Sequence, residues 1–243
     1  MSNSTDRIIL INKPLRWTSF DVVKKLKKPL LEEYRLLFPE EERKLIKRFK
    51  VGHAGTLDPL ATGLLVLCTG KLTKKISEIQ DAEKEYTGTI IIGSTTASYD
   101  LETEPENHKS YDFVTEEMVK ALAKEMEGLQ QQTPPIHSAI KVDGRRAYDM
   151  ARKGIEVELK SREIEIREFE ITRIALPEID FRIVCTKGTY IRSLAQDFGK
   201  KLGTGGHLSA LCRTRIGNYD LRNAVNPLDF LAQITENKNV SSE

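Results

Sequence analysis

The chain has 243 residues, of which 39% are hydrophobic and 30% are charged, and this length can bury a substantial core in one domain or two. The longest aliphatic run, residues 64–68, is far too short to span a bilayer, and the polar residues 1–6 are no signal peptide. Three cysteines, odd in number and far apart, argue against a disulfide framework and against a zinc cluster, so we expect a cytoplasmic protein without a metal site.

Charge is unevenly distributed along the chain, although the net charge is only +2. Residues 24–50 contain 10 Lys and Arg against 5 Asp and Glu, and residues 141–215 contain 16 against 11. Between these segments, residues 81–127 contain 4 Lys and Arg against 12 Asp and Glu. Two basic segments that flank an acidic one suit a protein with one basic, nucleic-acid-binding face. Solvated helix surfaces with internal ion pairs explain the first segment equally well.

The N-terminal part is expected to begin with a strand and a helix. Residues 7–12 are predicted to form a short buried strand. Thr18 or Ser19 caps a helix that ends at residue 28, with Asp21 in its first turn. Residues 28–50 are expected to form an exposed helical insertion that carries the first basic segment.

The middle of the chain contains one clear strand and one clear helix. Residues 86–92 are rich in β-branched side chains and are predicted to form a strand, whereas residues 93–110 are polar and acidic and predict a loop. Thr115 caps a helix that runs to Gly128, and residues 130–135 are expected to form a loop. The apolar face of that helix is predicted to contain Met118, Leu122 and Met126.

The C-terminal part mixes strands and helices without a steady βαβ rhythm, which predicts an α+β fold. Its predicted elements are a short basic helix (147–153), strands (163–174 and 179–185) and helices (192–202 and 228–234). Apolar residues slip out of alternation between Ile166 and Phe169, which predicts a β-bulge. Without a repeat or a clear linker, residues 1–243 are expected to form a single domain, and residues 226–243 are expected to form only a short helix and a tail.

Residues 52–63 (GHAGTLDPLATG) surround one carboxylate, Asp58, with a histidine, a proline and three glycines. Glycine reaches backbone conformations that other residues avoid, and proline fixes one, so this loop has a demanding shape. A stiff loop that presents a single carboxylate suits a nucleophile or a base. An Asp-Pro pair alone is typical of an ordinary turn.

The whole twelve-residue string closely resembles the catalytic motif of the TruB family of tRNA pseudouridine synthases. Four further segments match this family in the same order, namely 11–14 with 18–19, 84–86, 138–155, and 185–192 with 207–213. The resemblance extends from residue 8 to about residue 215. It implies the pseudouridine synthase catalytic fold, a mixed and largely antiparallel sheet flanked by helices.

Pseudouridine formation breaks the bond from ribose C1′ to N1, turns the uracil and joins C1′ to C5. No redox change is involved, so no cofactor is expected. The resemblance implies that Asp58 is the nucleophile and that Arg192 keeps this carboxylate ionised. It also implies that Tyr86 stacks on the uracil, where it could accept the C5 proton, and that Tyr190 forms a hydrogen bond near the carboxylate. Whether Asp58 attacks C1′ or C6, or acts through a glycal, remains open.

The resemblance also assigns residues that bind the RNA or support the site. His53 is expected to stack or to fill the gap left by the extruded base, and Leu211 to form the apolar floor under the uracil. Lys13 and Pro14 are expected to support the catalytic loop. A basic cluster is expected to bind the RNA backbone, and it consists of Lys141, Arg145, Arg146, Arg152 and Lys153.

The expected substrate is uridine 55 in the T arm of tRNA, bound by a monomer without an obligate protein partner and without a membrane. The sequence departs from the family at Ala54, where Thr is common, at Arg16, where Gly is common, and after residue 226, where no PUA domain is predicted. A catalytically silent tRNA-binding or folding protein on the same scaffold is one alternative. A glycoside or nucleoside hydrolase is another, although most such enzymes need two carboxylates.

Overall fold

A computed structural model describes residues 6–39, 42, 46, 49–136, 141–142, 145–146 and 159–240. The described strands are β1 (Ile8–Lys13), β2 (Val51–Ala54), β3 (Ala61–Thr69), β4 (Lys84–Ile92), β5 (Gly128–Gln132), β6 (Lys141–Val142), β7 (Arg145–Arg146), β8 (Arg162–Ala175), β9 (Glu178–Cys185), β10 (Gly206–Ile216) and β11 (Tyr219–Asp220). The described α-helices are α1 (Ser19–Arg35), α2 (Ile76–Asp81), α3 (Glu116–Glu125), α4 (Ile191–Lys201) and α5 (Pro227–Val240), and short 3₁₀ helices occur at Gly70–Lys75 and Leu221–Asn223.

The chain divides into two compact units, and the first contains both chain ends. The first unit comprises Met1–Ala82 and Cys212–Glu243, and the second comprises Glu83–Leu211. Strand β10 crosses this boundary, so its residues are shared between the units. The expectation of a single domain over residues 1–243 stays a prediction.

In the first unit, β3 is the central strand, because β1 and β2 both pair with it antiparallel. Its side chains alternate between two core clusters, with Leu65 and Leu67 in one and Leu64 and Val66 in the other. A strand that is buried on both faces appears in sequence as an uninterrupted apolar run. This arrangement explains the aliphatic residues 64–68.

Helix α1 begins as predicted but is longer than predicted. Thr18 is its N-cap and forms a capping box with Asp21. The predicted end at residue 28 is wrong, because the helix continues through Pro29 to Arg35. Proline inside a helix costs about 3 kcal/mol, and burial of Leu30, which is only 1% exposed, offsets this cost.

The predicted exposed insertion at residues 28–50 is also partly wrong. Phe49 is buried in the same core cluster as Leu30, and its ring stacks on that of Tyr34 at a centroid distance of 4.9 Å. The segment therefore contributes apolar side chains to the core of the first unit as well as basic side chains.

In the second unit, β4 pairs with β9, β9 with β8, and β8 with β5, all antiparallel. The predicted bulge is present, because the register between β8 and β9 shifts between Ile166 and Glu168. The loop predicted at residues 130–135 is partly wrong, since Gln130 to Gln132 belong to β5. These polar residues form a strand because they pair with β8, and local residue preferences do not predict such a long-range pairing.

Helices α3 and α4 begin near the predicted residues, and Thr115 caps α3. Met118 is 39% exposed and lies off the buried face of α3. That face consists of Val119, Leu122, Ala123 and Met126. In α4, Phe198 packs on Phe169 of β8 at a centroid distance of 5.6 Å, which fixes the helix on the sheet of its own unit.

The structure confirms the α+β class. Strands pair antiparallel within each unit, and helices pack on them. Strands β6 and β7 pair antiparallel with each other. The basic helix predicted at residues 147–153 lies outside the described residues. No helix in the described ranges is both long and apolar enough to cross a membrane.

Candidate active site

Asp58 lies in the loop that joins β2 to β3, in the first unit. Gly55 and Gly63 of the motif have φ angles of +88° and +99°, in the left-handed region that strongly favours glycine. A Cβ atom on Gly63 would lie 2.4 Å from the carbonyl oxygen of Arg213, so a larger residue would collide with β10. Gly55 and Gly63, two of the three glycines of the motif, therefore adopt the unusual backbone conformations that the sequence predicted.

Ser19 holds the residue that precedes Asp58. Its Oγ accepts a hydrogen bond from the amide of Leu57 at 2.8 Å and donates one to the carbonyl oxygen of Leu57 at 3.2 Å. Ser19 is only 2% exposed, so water does not compete strongly for these bonds. The first turn of α1 therefore fixes the β2–β3 loop just before Asp58.

Lys13 contacts the same loop, and Pro14 lies next to it in sequence. Lys13 is fully buried, and its Nζ donates to the carbonyl oxygens of Trp17 at 2.5 Å and Pro14 at 3.1 Å and lies 3.5 Å from that of Pro59. Burial lowers the pKa of Lys13 to about 8, while the negative charge of Asp58 opposes this change. Lys13 thus places a buried cation beside the loop.

Arg213 is a residue whose role the sequence did not predict. It is 2% exposed, its Nε donates to the carbonyl oxygen of Leu64 at 2.9 Å, and its Nη2 donates to that of Gly55 at 2.9 Å. It therefore ties together backbone on both sides of Asp58. Only its place in the family-like segment 207–213 could have indicated it.

His53 lies half-buried in β2, opposite Leu67 of β3. Burial is the main cause that lowers its pKa, and the positive charge of Arg213 lowers it further, while a hydrogen bond to the backbone of Gly55 opposes both. An imidazole whose pKa is below the usual 6.5 is neutral near pH 7. A neutral ring suits the stacking role expected for His53.

In the second unit, Arg192 lies in the first turn of α4 and is 3% exposed. Its Nη1 donates to the carbonyl oxygen of Ser98 at 3.1 Å, and its Nε lies 3.6 Å from Oδ2 of Asp100. Asp100 is 4% exposed and belongs to the segment predicted only as a polar loop. The predicted pairing of Arg192 with Asp58 joins residues of different units and stays a prediction.

Tyr190 is held through its backbone by a glutamine that the sequence did not indicate. The amide of Tyr190 donates to Oε1 of Gln132 at 2.8 Å, and Nε2 of Gln132 donates to the carbonyl oxygen of Tyr190 at 3.0 Å. Gln132 is only 1% exposed. The guanidinium carbon of Arg162 lies 4.7 Å from the centre of the Tyr190 ring, within the range of a cation–π contact.

The remaining predicted site residues are placed as follows. Tyr86 lies in β4 opposite Ile183 and is 8% exposed, and Leu211 is half-buried in β10. Of the basic cluster, Arg152 and Lys153 lie outside the described residues. For the other three members the structure describes the backbone alone, in β6 and β7, and these are Lys141, Arg145 and Arg146.

Chemically, the first unit offers a carboxylate on a rigid loop next to a buried cation. The second unit offers a buried arginine, Tyr86 within strand β4, and Tyr190, whose backbone is held by the side chain of Gln132. A fixed carboxylate can attack carbon or stabilise a developing positive charge without reorganising first.

Comparison with known proteins identifies the class. Residues 43–191 match the family model described as TruB family pseudouridylate synthase, N-terminal domain. Residues 192–243 match the model described as tRNA pseudouridylate synthase B C-terminal domain. These matches define a pseudouridylate synthase.

Individual relatives agree with this class over nearly the whole chain. The chain is 56% identical over 219 residues to a protein of Flavobacterium johnsoniae, covering 90% of this chain and 92% of that protein. It is 50% identical to a protein of Parabacteroides distasonis, covering 93% of each, and 48% identical to one of Bacteroides fragilis, covering 97% of each. All three relatives are named tRNA pseudouridine synthase B. The chain belongs to the TruB family.

Solved structures support the same fold. The crystal structure of a Cbf5–Nop10–Gar1 complex is similar with a TM-score of 0.66 and 27% identity, covering 93% of this chain and 53% of that chain. An H/ACA ribonucleoprotein bound to a substrate RNA containing 2′-deoxyuridine is similar with a TM-score of 0.63 and 26% identity, covering 93% of this chain and 52% of that chain. The chain thus spans about half the length of these structural relatives.

Proposed function

We propose that this chain isomerises uridine 55 in the T loop of tRNA to pseudouridine. Membership of the TruB family and the name shared by relatives at 48–56% identity support tRNA as the substrate. The observation that carries the proposal is the position of Asp58, on a loop held by Ser19, Lys13 and Arg213. Such support is needed when a carboxylate must meet a reacting carbon in one fixed geometry.

Asp58 is the nucleophile in this proposal. The glycosidic bond from C1′ to N1 breaks, the freed uracil turns, and C1′ joins C5. The proton on C5 leaves and N1 gains one, so the product is an isomer of the substrate. No electrons are exchanged with a co-reactant, and the proposal therefore uses no cofactor and no metal. Attack at C1′, attack at C6 and formation of a glycal all remain compatible with Asp58.

Residues of the second unit complete the proposed chemistry. Arg192 keeps the Asp58 carboxylate ionised in a water-poor environment. Tyr86 stacks on the uracil and is a candidate acceptor of the C5 proton, and Tyr190 provides a hydrogen bond near the carboxylate. Asp100 contacts Arg192 and is proposed to fix the orientation of its guanidinium group.

RNA binding relies on residues around this chemistry. His53 and Leu211 contact the target base and its surroundings, and Lys13 and Pro14 support the loop. The basic cluster binds the phosphates of the T arm, and it contains Lys141, Arg145, Arg146, Arg152 and Lys153. The enzyme is proposed to act as a monomer in the cytoplasm.

One assay tests this proposal against its alternatives. Unmodified tRNA is incubated with the protein, and the products are analysed for pseudouridine and for free uracil. Pseudouridine at position 55, lost when uridine 55 is replaced by cytidine, is the expected result. Free uracil would instead show a hydrolase, and binding without any product would show a silent RNA-binding protein.

The Asp58→Asn variant locates the chemistry within the protein. It should form no pseudouridine and should bind tRNA within a few-fold of the wild type, because phosphate contacts provide most of the affinity. Asp112→Asn, on an exposed residue, is the matched control and should keep full activity. Clear turnover by Asp58→Asn in a single-turnover assay would refute the nucleophile assignment.

A further inference from the structure

Helix α1 has an outward face that the proposed chemistry does not use. Its buried residues are Ser19, Val22, Val23, Leu26 and Leu30. On the opposite side, Phe20 is 67% exposed, and Lys24, Lys27 and Lys28 are exposed as well. Because residues three and four apart are neighbours on a helix, these four side chains form one continuous row, called here the α1 stripe.

The α1 stripe begins at the catalytic loop. Ser19, which precedes Phe20, is bonded to both the amide and the carbonyl oxygen of Leu57. Nearby, the amide of Arg16 donates to the carbonyl oxygen of Pro59 at 2.7 Å, and its neighbour Leu15 is 53% exposed. Two large apolar side chains are therefore exposed to solvent within a few residues of the backbone that holds Asp58.

The lysines of the α1 stripe differ from the arginines on the sheet of the second unit in the number of carboxylates close to them. Arg167, Arg173 and Arg182, on the sheet of the second unit, each lie within ion-pair distance of at least two carboxylates. Among the described residues, no carboxylate lies within 4.0 Å of the ammonium groups of Lys24 and Lys27, and Lys28 only reaches Glu32 at 4.0 Å. Such an exposed pair is worth about 0–1 kcal/mol.

An exposed aromatic ring beside exposed lysines matches the chemistry of an RNA strand. Aromatic side chains stack on unstacked bases, and lysines neutralise phosphates. Successive turns of the helix are about 5.4 Å apart, which is comparable to the spacing of neighbouring phosphates on a strand. Asp21, an acid in the first turn of α1, accepts hydrogen bonds from the amide and hydroxyl of Thr18. These bonds are the main cause that lowers the pKa of Asp21, and the charge of Lys24 lowers it further.

We propose that the α1 stripe binds the RNA strand that flanks the target uridine. Phe20 and Leu15 contact a base or ribose next to the extruded uridine. Lys24, Lys27 and Lys28 contact the phosphates that follow along the strand. This inference rests on the proposed function, because it takes the RNA to be the substrate tRNA.

The test compares two charge reversals in the same unit. The stripe variant is the double variant Lys24→Glu, Lys28→Glu. The matched control is the double variant Lys74→Glu, Lys75→Glu, because both of these lysines are exposed on the 3₁₀ helix after β3. That helix lies at the opposite end of β3 from Asp58, about 25 Å along the strand at roughly 3.3 Å per residue. Affinity for unmodified tRNA is measured over a range of salt concentrations.

The stripe variant should reduce the slope of log affinity against log salt by about 1.4–1.8, which corresponds to two lost phosphate contacts. Its kcat at saturating tRNA should equal that of the wild type, and the control should keep the wild-type slope. An unchanged slope would overturn the proposal. An equal loss in the control would overturn it as well, because it would indicate general attraction to RNA.

Phe20 is tested separately. Phe20→Ala should weaken tRNA binding about 5-fold or more, as expected for one lost stacking contact, and Phe20→Trp should restore it. If Phe20→Ala leaves the affinity for tRNA unchanged, the proposed contact between Phe20 and RNA is refuted. The same holds if the substitution changes only the self-association of the protein. Wild-type pseudouridine formation is measured alongside, so failure of the proposed function is recognised independently of the binding results.

Discussion

Arg213 donates a hydrogen bond from Nη2 to the carbonyl oxygen of Gly55 at 2.9 Å, three residues before Asp58. From the same guanidinium group, Nε donates to the carbonyl oxygen of Leu64 at 2.9 Å, in the strand that follows the loop. One buried, planar cation thus fixes two backbone positions on either side of the proposed nucleophile. We infer that Arg213 is a positioning residue, which acts on the uridine only through the loop.

Replacing Arg213 by Lys keeps the charge and removes the planar fork, so one amine cannot reproduce both bonds. An unsatisfied buried carbonyl group costs about 1–3 kcal/mol, and the loop should gain freedom. We expect kcat to fall at least about 10-fold while tRNA affinity changes by less than 3-fold. Single-turnover kinetics and binding measurements check this prediction.

Arg215 provides the matched control two residues further along β10. Its Nη1 donates to the carbonyl oxygen of Gly217 at 3.2 Å, in the turn that follows β10. Arg215→Lys should leave kcat unchanged. If Arg213→Lys lowers the melting temperature but keeps kcat, Arg213 has only a structural role.

Gln132 should determine the orientation of Tyr190. Gln132→Ala removes both hydrogen bonds to the Tyr190 backbone, which should lower stability by about 1–3 kcal/mol and lower kcat as well. Gln131→Ala is the control, since Gln131 lies next to Gln132 on β5 and is exposed. Urea unfolding and single-turnover kinetics measure the two effects. If Gln132→Ala and Gln131→Ala have the same kcat, Gln132 does not determine the orientation of Tyr190.

Features encoded over a few residues were predicted well from the sequence. The capping box of Thr18 and Asp21, the cap at Thr115 and the bulge after Ile166 depend on neighbouring residues only. The family-like string around Asp58 indicated a constrained loop, and the positive φ angles of its glycines agree. The local signals were therefore sufficient for these elements.

Contacts between distant residues were not predicted. Arg213 and Gly55 are 158 residues apart, and Arg192 and Ser98 are 94 residues apart. Nothing in the neighbourhood of Asp100 distinguishes a buried partner of Arg192 from an exposed acid in a polar loop. Helix α1 continues through Pro29 because Leu30 packs in a core that forms only when the chain is folded.

Lys13 predicts a particular dependence of stability on pH. Its pKa is about 8 in the folded protein and 10.5 in a model peptide. Below pH 8 the amine is charged in both states. Between these two values the unfolded chain retains a proton that the folded chain has lost, so the free energy of unfolding rises with pH.

This rise in the free energy of unfolding should amount to at most about 3 kcal/mol. It should be absent in Lys13→Met, so the difference between the two proteins gives the contribution of Lys13 alone. Because the charge of Asp58 raises the pKa of Lys13, the rise should begin at lower pH in Asp58→Asn. Urea unfolding at a series of pH values gives both quantities. Identical pH profiles for the wild type and Lys13→Met would contradict the lowered pKa.

Arg16 lies in the turn after β1, at the position where Gly is common in the family. Its φ angle is +68°, a left-handed conformation that costs a non-glycine residue about 1–2 kcal/mol. The turn is nevertheless formed, because the amide of Arg16 donates to the carbonyl oxygen of Pro59 at 2.7 Å. Arg16→Gly should relieve this cost, and Arg16→Ala should retain it.

The comparison between these two variants is informative because both lose the same charged side chain. Part of the gain in Arg16→Gly is lost to the greater freedom of glycine in the unfolded chain, about 0.4–1 kcal/mol. We therefore expect Arg16→Gly to exceed Arg16→Ala in stability by about 0.5–1 kcal/mol, with equal kcat for both. Urea unfolding measures this difference directly. A glycine variant that is less stable than the alanine variant would show that the left-handed conformation costs less than this unfolded-state term and would contradict the prediction.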